Sequence, residues 1–231
     1  MKNAAFWNRF EERVSRYDLL QHPFYQAWSK GELTRDDLRE YAAEYWHHVS
    51  AFPTYLSALH ATMTDSEVRR EVLRNLAEEE GVDAPAGRPH SDLWMDFAES
   101  MGASRSTVEG RAVQPEMTAL ITAFRELMQE KPVVAMAALY AYESRVPAIA
   151  HTKAEGLAAH YATTGAGARY FTLHETADVH HAAVWRELMN AQLAREPEAA
   201  EAALDAAERA AKALWNALDG VERERLKALS N

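Results

Sequence analysis

The sequence contains no cysteine, and this absence excludes several kinds of chemistry. Disulfide bonds, thiolate metal ligands and a cysteine nucleophile all require that residue. Glycine and proline are scarce as well, with nine and eight among 231 residues, and no low-complexity linker or internal repeat divides the chain. We therefore expect a single domain over residues 1–231.

Positive charge is also in short supply, because the formal net charge is −10 at pH 7. No basic patch with interleaved aromatic residues is present, so we expect neither nucleic-acid binding nor association with a membrane. The amphipathic start MKNAAFWNRFEERVSRYDLL lacks the apolar core of a signal peptide, and no later run approaches the length of a membrane span. A cytoplasmic location is the expectation.

Apolar and aromatic residues, in contrast, are abundant. They make up 48% of the chain, with six tryptophans and nine tyrosines, which is typical of a folded protein with a large core. Apolar residues recur at helical spacing nearly everywhere, while alternation with a period of two is nowhere convincing. The sequence therefore predicts an all-α, single-domain bundle of about seven to eight helices.

Local signals predict where several helices begin. Thr34 and Asp37 come close to a capping box, at the start of a helix that should bend at Pro53. Ser91 or Asp92 is the expected N-cap of the segment DLWMDFAESMG.

Later segments predict a central helix and a C-terminal helix. The segment PVVAMAALYAY, which ends at Tyr142, is apolar on all sides, as in a helix at the middle of a bundle. Pro147 should kink the continuation of this helix. The last helix is expected over residues 197–218.

The segment HETADVHHAAVW carries the clearest functional signal. His174, Asp178 and His181 are spaced four and then three residues apart, which places all three on one face of a helix. Phe171 and Trp185 extend the same face, so the titratable groups interrupt an apolar stripe. Because an unpaired ion in such a stripe is costly, these groups need partners.

Polar groups in two further helices are candidates for those partners. Glu143 follows the apolar segment described above, and either Glu79 or Glu80 continues the apolar face of EVLRNLAEEEG. His90 lies just before a predicted helix start. Imidazoles and carboxylates without thiolates suit iron or manganese in a helical bundle.

Each of these residues, taken singly, could also be an ordinary structural residue and not a metal ligand. A single histidine on an apolar face is usually a core residue, and Glu79 in EEEG is also compatible with a solvated helix end, whereas the trio with Glu143 favours metal binding. The remaining histidines are interpreted as structural: His22, His47, His48, His60, His151, His160 and His180.

Several segments carry a family resemblance. HPFYQAWSKGELT, AFPTYLSALH, ALYAYESRVPAIAHTKAEGL and YFTLHETADVHHA resemble the haem-oxygenase-like dimetal oxidases, and most closely the branch of the chlamydial protein associating with death domains. Thiaminase-like and coenzyme-PQQ-synthase-like relatives share the first element, so that element alone does not identify the branch. The loop GVDAPAGRP before His90 is longer than in that branch. The resemblance favours Glu79 over Glu80 and implies two metal ions, Fe/Fe or Mn/Fe, with six ligands: Glu79, His90, Glu143, His174, Asp178 and His181.

This branch is similar to self-sacrificing p-aminobenzoate synthases, and that similarity implies an activity. Such an enzyme makes the folate precursor from one of its own tyrosines, here Tyr25, with Lys153 as the amino donor. O₂ and an external reductant of unknown identity would be co-substrates, and each molecule would react once. Tyr41, Tyr142 and Tyr170 are candidates for relaying an oxidising equivalent.

Other functions remain open from the sequence. A related oxidase would act on an external amino acid or fatty acid, and an interaction module would leave six well-spaced ligands unused. Haem binding through His22 would leave the trio unexplained, and a thiaminase-like activity needs the missing cysteine. A homodimer is expected from the aromatic and alanine-rich helix faces.

Overall fold

The computed structural model describes residues 3–82 and 87–230. Within these residues the regular structure consists of α-helices and short 3-10 turns, without strands, which confirms the all-α prediction. The helices are α1 Ala4–Val14, α2 Pro23–Ser29, α3 Arg35–Thr62, α4 Ser66–Glu79, α5 His90–Ser100, α6 Arg105–Glu109, α7 Pro115–Leu127, α8 Pro132–Glu143, α9 Val146–Tyr161, α10 Arg169–Arg195 and α11 Ala200–Leu229.

These eleven α-helices exceed the predicted seven or eight. The short helices α2 and α6 have only seven and five residues, so their apolar periodicity is too brief to be read from sequence. In the described part of the chain, no helix combines the length and apolarity needed to cross a membrane.

The start of α3 follows the prediction and the start of α5 does not. The capping box of Thr34 and Asp37 is complete, and α3 continues through Pro53. The predicted cap at Ser91 or Asp92 is wrong, because α5 begins one residue after Pro89. The imidazole of His90 therefore projects from the first turn of a helix.

The structure shows an interruption between α8 and α9 where the sequence predicts one helix with a kink at Pro147. Helix α8 ends at Glu143, and Pro147 lies in the first turn of α9, where its missing N–H needs no partner. Ser144 and Arg145 form a turn between the two helices. Lys153 consequently lies on a different helix from Glu143, and their separation in sequence says nothing about their relative orientation.

Helix α8 lies at the centre of the molecule. All its residues are buried except Pro132 and Tyr142, as the apolar segment predicts. Helix α11 packs against α8 with an alanine-rich face and extends to Leu229, beyond the predicted end at Leu218. Small side chains on this face allow the two helices to approach closely.

A tight turn after α4 positions the next segment of the described chain. Gly81 adopts a positive φ of 72°, and a Cβ there would lie 2.3 Å from the carbonyl carbon of Arg88. The chain leading into α5 therefore passes directly over the end of α4. Residues 83–86, in the loop whose length distinguishes this sequence, lie outside the described residues.

Candidate metal centre

Six titratable side chains from α4, α5, α8 and α10 meet in the interior of the bundle. Each is 5% exposed or less. Their donor atoms form two groups, and within each group all the donors lie within 4.8 Å of one another. The first group is Glu79, His90 and His174, and the second is Glu143, Asp178 and His181.

The first group has a donor arrangement suited to a cation. Nδ1 of His90 lies 3.0 Å from Oε2 of Glu79, yet this buried nitrogen has no aligned hydrogen bond. Nδ1 of His174 donates to the backbone carbonyl of Tyr170 at 2.7 Å, because a carbonyl can only accept. Nε2 of His174 is therefore the nitrogen whose lone pair is available to a metal ion. Nδ1 of His90 and Oε2 of Glu79 face each other without an aligned hydrogen bond, and this arrangement suits a metal ion bound by both atoms.

The second group is held by a network of hydrogen bonds. Nδ1 of His181 lies 3.2 Å from Oδ1 of Asp178 and 3.6 Å from Oε2 of Glu143. The indole N–H of Trp185 donates to Oε2 of Glu143 at 2.9 Å, and the amide of Asn75 approaches the same oxygen at 3.3 Å. These donors fix the orientation of the Glu143 carboxylate.

A further acid contacts the second group from outside. Oε2 of Glu78 lies 2.9 Å from Nε2 of His181. The imidazole therefore presents Nδ1 to the buried carboxylates and Nε2 to Glu78. A carboxylate on the far nitrogen is the usual orienting partner of a metal-binding histidine.

Burial and mutual charge shift the pKa values of these groups. Burial raises the pKa of Glu143. Burial opposes protonation of His181, but the hydrogen bond to Asp178 and the charge of Glu143 outweigh it and raise its pKa. Burial would raise the pKa of Glu79, but the charge of His90 lowers it. Without a metal ion, these buried acids depend on neighbouring imidazolium charges, a role that divalent cations fill more completely.

Tyr25 and Lys153 form a second constellation in the core. Nζ of Lys153 lies 2.7 Å from the hydroxyls of both Tyr25 and Tyr41, and these hydroxyls are 3.0 Å apart. Nζ also lies 4.2 Å from the centroid of the Tyr25 ring. In the described residues, no carboxylate forms an ion pair with this amine, and burial lowers its pKa well below the ordinary value.

Two tyrosines connect the constellations. Tyr142 and Tyr170 line a cavity together with the metal-ligand candidates Glu79, Glu143 and Asp178. The same two tyrosines line a cavity that contains Tyr25 and Lys153. Among the tyrosines predicted to relay an oxidising equivalent, Tyr142 and Tyr170 thus lie between the two sites, and Tyr41 lies against Lys153.

Sequence reasoning missed several residues of this region. Asn75 precedes Glu79 by four residues and Trp94 follows His90 by four, so each shares a helix face with a predicted ligand. The four-residue spacing from a predicted ligand is the sequence signal for Asn75 and Trp94. No such signal marks Glu78, because the sequence does not show which of three consecutive glutamates faces the site. The sequence places Trp185 in the apolar stripe, whereas in the structure its N–H binds Glu143.

His22 has a structural role that excludes it from this centre. Its Nδ1 accepts a hydrogen bond from the backbone N–H of Phe24, and its Nε2 lies 3.1 Å from Asp219. The imidazole therefore caps α2.

Comparisons with known proteins show the family to which the chain belongs. A family model described as an iron-containing redox enzyme matches residues 39–215. The chain is 36% identical over 210 residues to the 4-aminobenzoate synthase of Chlamydia pneumoniae, covering 90% of this chain and 91% of that protein. It is 38% identical over 233 aligned positions to the 4-aminobenzoate synthase of Nitrosomonas europaea, covering 96% and 92%.

Among solved structures, a TenA homologue from Pseudomonas syringae superimposes with a TM-score of 0.81. The identity is 18%, and 95% of this chain and 93% of that chain are covered, which establishes a likeness of fold. The resemblance predicted from the sequence is confirmed: this chain belongs to the haem-oxygenase-like family of iron-containing redox enzymes.

Proposed function

We propose that this protein is a dimetal oxidase that makes p-aminobenzoate for folate biosynthesis from its own Tyr25, with Lys153 as the amino donor. The observation that carries the proposal is the contact of 2.7 Å between Nζ of Lys153 and the hydroxyl of Tyr25, at a place in the core where no acid of residues 3–82 or 87–230 forms an ion pair with the amine. Relatives covering most of the chain are 4-aminobenzoate synthases.

The six buried ligand candidates would hold two metal ions, Fe/Fe or Mn/Fe. The first would bind Glu79, His90 and His174, and the second Glu143, Asp178 and His181, following the two groups of donors. With O₂ and an external reductant, these ions would supply the oxidising power that the reaction needs. Imidazole and carboxylate donors without sulfur suit this chemistry.

The protein's own residues prepare the substrate ring. The neutral amine of Lys153 has a lone pair, so it can accept the phenolic proton of Tyr25 and later provide nitrogen to the ring. Phe24, Trp28 and Tyr41 pack around Tyr25 and exclude water from it. Because the ring is tethered, its effective concentration is very high and no separate binding step is needed.

Reconstitution of purified protein tests this proposal. Protein loaded with iron and manganese, then given a reductant and O₂, should release p-aminobenzoate once per chain and lose the masses of the Tyr25 ring and the Lys153 amino group. Incorporation of ring-¹³C tyrosine and ε-¹⁵N lysine should label the product at both positions. Tyr25→Phe should abolish the product.

The matched control is Tyr55→Phe, which removes the hydroxyl of another fully buried tyrosine that lines neither cavity. This variant should react like the wild type. Production of p-aminobenzoate by protein whose residues 25 and 153 remain intact would refute the proposal.

An external substrate is the second candidate. The cavity beside Lys153 is also lined by the apolar side chains of Leu19, Val146 and Ile149, which would suit an amino acid or fatty acid. Many turnovers with an added substrate, undiminished in Tyr25→Phe, would favour this function over self-consumption.

A further inference from the structure

We infer that Trp94 carries the electron that Tyr25 must lose to the metal centre; this inference rests on the proposed function. Trp94 lies on α5, one helical turn beyond His90, and is 1% exposed. No sequence motif marked this residue. Its position between the two buried sites is the observation that singles it out.

Trp94 completes a continuous series of ring contacts between the two sites. The ring of His174 stacks on Tyr170 with centroids 4.1 Å apart, and Tyr170 meets Trp94 edge-on at 4.8 Å. Trp94 meets Tyr41 at 5.7 Å, and Tyr41 meets Tyr25 at 6.2 Å. The series begins on a ligand candidate and ends on the ring to be consumed.

Proton chemistry distinguishes Trp94 from the other rings. A phenol gives up its proton when it is oxidised, whereas an indole passes an electron and keeps its N–H. The N–H of Trp94 donates to the backbone carbonyl of Ala42 at 2.8 Å, and that carbonyl holds the proton without taking it. The neighbouring ring of Phe171, 5.7 Å away, is far harder to oxidise.

A second route runs through the tyrosine hydroxyls on the other side of the cavity. Tyr142 lies beside both Tyr45 and Tyr170, so electrons would pass from phenol to phenol. Each of these hydroxyls would need a proton acceptor. Burial raises the pKa of Tyr45, which makes loss of its proton more costly. Trp94, unlike the phenols on either side of it in the series of ring contacts, can be oxidised without losing a proton.

The electron and proton balance closes on named groups. Trp94 gives one electron to the oxidant formed from O₂ at the dimetal centre and becomes an indole radical cation. The radical cation then takes one electron from Tyr25, while the phenolic proton of Tyr25 passes to the Lys153 amine. The net result is a tyrosyl radical, a protonated lysine, a restored indole and an oxidant reduced by one electron.

Three variants at buried tryptophans test this role. Trp94→Phe removes the oxidisable ring, Trp94→Tyr replaces it with another oxidisable ring, and Trp7→Phe is the matched control. Trp7 is also buried and its N–H also donates a hydrogen bond, to Asn190 at 2.9 Å, but it lies outside the series of ring contacts. Metal content and unfolding free energy are measured first for each variant.

The rate of Tyr25 loss after mixing with O₂ is then followed by mass spectrometry. Trp94→Phe should bind metal normally but lose Tyr25 roughly tenfold more slowly or worse, the change produced by about 1.4 kcal/mol in the barrier. Trp94→Tyr should recover part of the rate, because a phenol is oxidisable but must also lose its proton, and Trp7→Phe should match the wild type. Wild-type rates in Trp94→Phe, or equal losses in both Trp94 variants, would overturn the relay.

An electron paramagnetic resonance experiment separates the relay from the fate of Tyr25. In the double variant Tyr25→Phe/Tyr41→Phe the indole loses the two phenols that would reduce it on the side of Lys153, so more of a radical should accumulate whose spectrum changes with indole-deuterated tryptophan. Adding Trp94→Phe should remove this signal. Appearance of the indole radical with an intact Tyr25 in the wild type would support the relay and contradict the proposed function. Its absence from the double variant would contradict the relay.

Discussion

Lys153 is a buried amine whose hydrogen-bond partners are two phenols, Tyr25 and Tyr41. Burying a charge without a counter-ion is costly, so the folded protein favours the neutral amine. A residue kept at such a cost usually serves a function, and an uncharged primary amine is the form in which lysine acts as a base or a nitrogen nucleophile.

Because burial of the Lys153 amine is costly, we predict that an apolar residue at this position stabilises the protein. In metal-free protein, Lys153→Met should raise the free energy of unfolding at pH 7 by about 1 kcal/mol or more, because burial of the lysine amine is costly and burial of the methionine side chain is not. The unfolded lysine binds a proton that the folded one releases, so wild-type stability should rise with pH toward about 10.4 and the advantage of the variant should shrink. Urea unfolding at pH 7 and pH 10 measures both effects.

Lys30→Met is the control for this prediction, because Lys30 is exposed. Its substitution should leave the pH dependence of stability unchanged. A Lys153→Met protein that is less stable than the wild type at pH 7 would show that the amine is held as a stabilising cation.

Glu78 illustrates a residue that acts through a neighbour. Its contact with Nε2 of His181 predicts that Glu78→Ala weakens metal binding about 10–100-fold, the usual effect of removing the orienting partner of a ligand. Competition titration with a metal chelator measures the affinity. The neighbouring, exposed Glu80 supplies the control, and Glu80→Ala should bind metal as tightly as the wild type. Equal affinities in all three proteins would remove Glu78 from the site.

At the scale of elements, a ligand candidate can be predicted from helical spacing only when the other candidates lie on the same helix. His174, Asp178 and His181 share α10, so helical spacing alone places them on one face. Glu79 and Glu80 differ by one residue at the end of α4, where periodicity gave no preference and only the family resemblance decided. In the structure Glu79, the last residue of α4, is buried, whereas Glu80 just beyond the helix is exposed.

Residue spacing along one helix cannot predict which residues of different helices are in contact. The break between α8 and α9 invalidates any inference that carries one helical face from Glu143 to Lys153. The contact of Lys153 with Tyr25 joins residues 128 positions apart, and it depends on how α2 and α9 pack. The resemblance named both residues, and the structure places them in contact.

The turn after α4 provides a prediction at this scale. Gly81→Ala should destabilise the protein by more than about 1 kcal/mol, because the left-handed φ disfavours alanine and the new Cβ would overlap the backbone of Arg88. The displaced chain should move His90 away from Glu79 and weaken the first metal site. Calorimetry and metal titration report the two effects separately.

The same loop offers a matched comparison. Gly87 has a similar φ of 61°, but among the described residues no atom would lie within 4 Å of a Cβ at this position. Gly87→Ala should therefore show the conformational strain alone, with the first metal site intact. If both variants lose metal equally, the close approach at Arg88 is not what positions His90.

At the scale of the whole molecule, the all-α architecture followed from composition and periodicity, whereas the number of helices did not. The most unusual feature of the core is its content of ionisable groups, with six of them buried among the apolar residues of four helices. Because these groups are costly to bury without a cation, folding and metal binding should be coupled.

This coupling predicts a large stabilisation by metal. At a free metal concentration about 100-fold above the dissociation constant, the free energy of unfolding should rise by about 2.7 kcal/mol for each independent site. Differential scanning calorimetry with added iron(II), and again after a chelator, measures the change. The variant Asp178→Asn should lose much of the shift, and an unchanged melting temperature in wild-type protein would argue against a metal centre.

The packing of Tyr25 against Phe24, Trp28 and Tyr41 has a consequence for the lifetime of the protein. If the ring is consumed, each spent copy is left with a hole in its core, comparable to a large-to-small substitution that costs about 3–5 kcal/mol. Domains commonly possess only about 5–15 kcal/mol of stability. Exhausted copies would thus unfold more often and become preferred targets of cellular proteases, so the reaction would itself mark them for disposal.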